Sequence, residues 1–198
     1  MTPTAPLIPT PATAPARDVS ERLRARSRAT GVLVMSGFGS LWAAGGVSLS
    51  GNPGWAWIVV GSLLLAFVLH AMQALRVNPR ATERLAADLV ERQRRAGRIF
   101  AWTSVAQGLG LFLAVNLVVN LGHPQWQIAA AMAVVGLHFL PLAKAFGYRP
   151  HVATGVLMTG WALAYPWLGA AGALAPIGPL GAAAILFASA AWALRSLR

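Results

Sequence analysis

The chain has 198 residues, 57% of them hydrophobic and only 11% charged, with sixteen Lys and Arg against five Asp and Glu for a net charge of +11. An ordinary soluble domain carries roughly 25% charged residues, so this composition excludes a water-soluble globular fold. The Arg residues flank apolar stretches instead of forming one stripe, and no recognition motif accompanies them, so nucleic acid is not an expected partner; cysteine is absent, which removes disulfides, thiolate metal sites and a Cys nucleophile.

Residues Met1 to Ala16 mix five prolines with Thr and Ala, too few core-forming side chains to offset chain entropy, and read as a disordered tail. Arg17, Arg22, Arg24, Arg26 and Arg28 follow, so residues 1–28 are expected to precede a membrane domain at 29–198. A secretory signal places its basic residues first and a short apolar core directly after them. Here the basic cluster comes second, and Thr30 to Leu49 behind it is long enough to cross a core of about 30 Å, so it is read as a retained first helix. Further spans are expected at Trp55 to Leu75, Ile99 to Leu121, Trp126 to Ala143, Val152 to Ala173 and Gly178 to Leu194. The predicted fold class is therefore all-α: a polytopic membrane protein with six transmembrane helices arranged as three hairpins.

The connections fix an expected orientation. Ser50 to Gly54, Gly122 to Gln125 and Leu174 to Ile177 carry no charge, whereas all sixteen basic residues fall in the tail, in Arg76 to Arg98, at Lys144 and Arg149, and at Arg195 and Arg198. Short loops rich in Lys and Arg stay in the cytoplasm, which predicts both termini inside and three hairpin tips outside. Trp55, Trp57 and Trp126 near those tips fit an interfacial aromatic belt. Fifteen of the sixteen basic residues are Arg, and Ala, Gly and Leu are abundant, a composition that fits a GC-rich bacterial genome and hence a bacterial inner membrane.

Between the second and third spans, residues 79–98 read as an amphipathic helix lying on the inner surface. Asn78 suits the N-cap and Pro79 the first helical position, and Thr82, Leu85, Ala86, Leu89 and Ala96 recur at helical spacing. Opposite charges four apart, Arg84/Asp88, Asp88/Arg92 and Glu91/Arg95, add a few tenths of a kcal/mol each. Arg84, Arg92, Arg94, Arg95 and Arg98 are the expected contacts for anionic headgroups or a protein partner. A weak repeat also shows: Ala29-Thr30-Gly31-Val32-Leu33 opens the first span and Ala153-Thr154-Gly155-Val156-Leu157 the fifth.

All five acidic residues, Asp18, Glu21, Glu83, Asp88 and Glu91, lie in the basic segments, so no carboxylate is available within the spans for proton coupling, proteolysis or metal ligation. The His residues have no HExxH spacing, and there is no P-loop, GxSxG or GxGxxG, so no catalytic residue, metal or cofactor is expected. The polar groups left inside are His70, Gln73, Gln107, Asn116, Asn120 and His138, beside Trp161 and Tyr165. At about 1.5 Å per residue, His70 and His138 lie roughly 9 Å from their basic flanks and Gln107 roughly 13 Å beyond Arg98, so the three are expected to share one slab. Asn116 and Asn120 continue that polar path along the third span, and Pro141 and Pro166 are expected to kink the helices beside His138 and Tyr165.

Three readings follow from these residues. A transport-like or solute-binding subunit would use His70, Gln107, Asn116, Asn120, His138 and Tyr165; the alternative is a non-transporting membrane scaffold or partner-binding protein acting through its Arg-rich cytoplasmic face, with a protein partner or a homo-oligomer as the expected assembly; a membrane-embedded enzyme ranks behind both. A six-span chain of this length resembles the small substrate-capturing subunits of vitamin uptake systems in size and span count alone.

Overall fold

The computed structural model describes residues 16–77, 87–168 and 170–195. They form six α-helices: α1 (Ala16–Leu49), α2 (Gly54–Val77), α3 (Ala87–Asn120), α4 (Gln127–Phe146), α5 (Pro150–Ala164) and α6 (Ile177–Arg195). Three 3₁₀ turns, Pro124–Trp126, Tyr165–Trp167 and Gly172–Leu174, join them, and there is no strand among the described residues. All helices except α5 are long and apolar enough to cross a membrane.

Packing order differs from chain order. α1 packs most extensively on α6, α4 on α5 and on α3, and α2 on α1, so the helices form a curled row α2, α1, α6, α5, α4, α3. The reason is written in side-chain size. On α1 the residues Ala29, Val32, Ser36, Ser40, Ala43 and Val47 are buried at a period near 3.6, and Ala182, Ala183, Ala190 and Ala193 answer them from α6. Ser40 donates to the carbonyl of Ser36 at 2.9 Å, which satisfies a hydroxyl that has no water to turn to. α4 and α5 cross in close backbone contact where Gly136 and Gly155 face each other.

The flanking helices bury almost nothing. In their most apolar stretches α2 is 6% buried and α3 0%, and Trp102, Phe112 and Leu117 of α3 point outward. Water does not tolerate a continuous apolar surface of that length, whereas lipid covers it without cost.

All basic helix ends gather at one end of the bundle. Val32 of α1, Ala71 of α2 and Ala193 of α6 meet in one buried cluster with Phe139 of α4 against it. Phe100 of α3 lies 6.3 Å from Phe146 of α4, and Phe139 meets His151 of α5 at 5.6 Å. At the opposite, uncharged end, Trp126 and Trp167 pack at 5.7 Å.

One sequence expectation is extended by the structure and two need correction. The Arg-rich stretch from Ala16 is helical and continuous with the first span; a Pro-free run of Arg, Glu and Leu is good helix material once a span behind it supplies the nucleus. Likewise, the expected surface-lying helix at 79–98 is, over its described part, the first three turns of α3 with no break before the span. Glu91 accordingly pairs with Arg98 at 3.3 Å, two turns on, instead of with Arg95. The second correction concerns the fifth span, which stops at Ala164 instead of Ala173. Pro166 lies inside the 3₁₀ turn that ends it, where a ring without an N–H breaks the ladder, so this proline terminates a helix and does not kink one. Pro141, by contrast, sits within a helix that continues to Phe146. The two similar pentads are not used alike: Ala29 and Val32 are buried on α1, whereas Thr154 and Gly155 are the buried pair on α5. Expectations for Met1 to Pro15, Asn78, Pro79 and Arg84 lie outside the described residues, as does the side chain of Arg92.

Candidate functional site

The expected polar slab is only half assembled. His138 on α4 donates from Nδ1 to the carbonyl of Thr103 on α3 at 3.1 Å, one turn from the half-buried Gln107. A carbonyl only accepts, so the contact places the proton on Nδ1. His70 does not join them. It is exposed on α2, and its Nδ1 turns back to the carbonyl of Ala66, also at 3.1 Å, while α2 packs on α1. Nor does α3 present a polar path to the interior: Asn116 is exposed and donates to the carbonyl of Phe112 at 2.7 Å, and Asn120 is exposed as well. Tyr165 is fully buried, and its hydroxyl donates to the carbonyl of Ala173 at 3.1 Å, which ties the end of α5 to the loop that follows.

A different polar cluster forms where the sequence reading placed only a turn. α4 ends at Gly147, whose φ of 60° is left-handed and whose N–H caps Ala143. The chain then reverses through Tyr148, Arg149 and Pro150, with Pro150 opening α5. This reversal sets the rings of Tyr148 and His151 edge to face at 4.9 Å. The Tyr148 hydroxyl and His151 Nδ1 are both buried without a hydrogen-bond partner, and so is Thr159 Oγ1 two turns up α5. Burial pushes the His151 imidazole, which precedes the apolar part of α5, down to about 4. Tyr148 and His151 were missed because each is solitary in sequence; the available signal was their spacing across a Pro-opened helix start at the basic end.

At the uncharged end, the chain forms an apolar groove of about 430 Å³ between α3, α4 and α5. Val118 and Leu121 make one wall, Ala130 and Ala133 the floor, and Leu163 the other wall. Trp126 and His123 close its end, and Gln125 donates to His123 Nδ1 at 3.5 Å.

The basic end is the most strongly charged surface. Arg24 on α1, Arg94, Arg95 and Arg98 on α3, Lys144 and Arg149 are all exposed there. Among the described residues no three His, Asp or Glu side chains stand close enough to hold a metal ion.

Together these features define an all-helical chain built like a membrane protein, with an uncharged end and an Arg-rich end. Comparison with protein-family models, with curated proteins and with solved structures finds no match in any of the three.

Proposed function

We propose that this chain is a multi-pass protein of a bacterial inner membrane, with both termini in the cytoplasm, that acts as a scaffold through its Arg-rich cytoplasmic face. One observation carries the reading: α1 and α3 each run 34 residues, about 51 Å at 1.5 Å per residue, whereas the hydrocarbon core needs only about 30 Å. Each helix therefore projects roughly 20 Å from the same end, with Arg24, Arg94, Arg95 and Arg98 exposed on the projections. An acidic surface, anionic headgroups first among them, is what such a face attracts. The test is titration of the purified chain and of the Arg24→Gln/Arg94→Gln/Arg95→Gln variant with a short-chain anionic phospholipid at low and high salt. The variant is expected to bind more weakly by about 1 kcal/mol per charge removed, with a shallower salt dependence. Equal binding by the two proteins at low salt sinks the proposal.

A solute-binding or transport-like role rests on narrower ground, namely the unpartnered Tyr148, His151 and Thr159 atoms and the Gln107/His138 neighbourhood. Buried polar atoms left without a partner suit an incoming polar ligand. A thermal-stability screen against small polar solutes tests it: a solute that raises the midpoint of the wild type and not of His151→Phe supports the role. A screen with no such solute removes it.

A further inference from the structure

We propose that the groove at the uncharged end holds the headgroup-proximal part of one acyl chain of a zwitterionic phospholipid, from the leaflet at that end. The groove exists because of two local sequence choices. Alanines at 130 and 133 leave the floor of α4 low, and α5 contributes only Ala162 and Leu163 to that side before it ends at Ala164.

Its chemistry is graded. From Ala133 to Ala130 the lining is aliphatic; at the other end stand the Trp126 indole and the His123 imidazole, the groups that sit at headgroup depth. None of the connections at this end carries a Lys, Arg, Asp or Glu. A net anionic headgroup finds no counter-charge there, whereas a zwitterionic one needs none and takes hydrogen bonds from an indole or imidazole N–H.

A helix from a second copy fits less well. The α4 part of the groove spans Trp126 to Ala133, two helical turns or about 10 Å, and the α3–α4 turn closes it. Helix-in-groove docking uses anchors over several turns, and a specific protein interface buries about 1,000 Å² or more. One acyl chain requires neither.

The full chain is reconstituted in zwitterionic phosphatidylcholine vesicles containing a small fraction of the same lipid with a diazirine near the carbonyl end of one acyl chain. After photolysis and digestion, adducts are mapped on the peptides. Labelling is expected to concentrate on Val118, Leu121 and the Trp126–Ala133 stretch, and to fall at least five-fold in Ala130→Phe, which fills the groove. Leu163→Ala, which widens it, should label at least as strongly as the wild type, so a general folding defect is distinguished from occlusion. Labelling spread evenly over the outward faces of α2 and α3 and unchanged by Ala130→Phe overturns the proposal. So does formation of a disulfide-linked dimer by Ala130→Cys under mild oxidant, which puts a second copy in the groove.

Discussion

Glycine does at the α4–α5 crossing what no other residue can do. A Cβ on Gly136 would stand 2.7 Å from the backbone nitrogen of Thr159, and one on Gly155 would stand 2.8 Å from the carbonyl of Gly136. Backbone cannot rotate away as a side chain does, so Gly136→Ala is expected to destabilise the protein by about 1–3 kcal/mol in detergent thermal unfolding. Adding Thr159→Ala should recover only part of the loss, because it removes the hydroxyl and leaves the nitrogen. Gly160→Ala, with open space around it, should be neutral or gain about 0.5–1 kcal/mol. His138→Ala should cost about 0.6–2 kcal/mol through its lost bond to Thr103, and His70→Ala almost nothing. His151 adds a pH dependence. Its folded value of about 4 lies below the ordinary 6.5, so between those values the unfolded chain takes up a proton that the folded chain refuses. Stability therefore falls as pH drops from about 6.5 toward 4 and loses nothing further from this group below that range. The midpoint shift between pH 7 and pH 5 should accordingly shrink in His151→Phe; an equal shift in both proteins contradicts the assignment.

At the scale of elements, α5 is the exceptional helix. Its 15 residues reach about 22 Å, less than a hydrocarbon core of about 30 Å, and two 3₁₀ turns follow it before α6. Irregular backbone beside apolar helices needs its polar groups covered by protein. The cover comes from Trp161 of α5 and Tyr165 directly after it: Trp161 donates to the carbonyl of Gly178 at 2.9 Å and Tyr165 to that of Ala173 at 3.1 Å. Gly178 and Gly181 admit those two rings, since a Cβ at either would overlap them. Tyr165→Phe is expected to speed amide exchange at Leu174 and Ala175 about five-fold, the equivalent of a lost bond of about 1 kcal/mol, while leaving exchange in α1 unchanged. Equal exchange in both proteins at Leu174 and Ala175 would show that the hydroxyl bears no load.

For the molecule as a whole, the proposed orientation is tested by single Cys residues, which the Cys-free chain makes unambiguous. Cys at His123 or Leu174, both exposed at the uncharged end, should react with a membrane-impermeant thiol reagent in intact cells, and Cys at Ser27 should not. Ala175 in the same connection is a poor probe because it is only 6% exposed. The reverse pattern overturns the proposed topology. Helix content, the apolar stretches and their basic flanks were legible in the sequence, because hydropathy and charge act locally and each residue carries its own share of the signal. Which helices neighbour one another was not legible, because in lipid every apolar face looks alike and the choice falls to small residues that meet only after folding, Gly136 on Gly155 and Gly46 against Leu180. For the same reason the polar residues of the spans were visible but their company was not: only the packing order decided that His138 reaches α3 and that His70 faces outward.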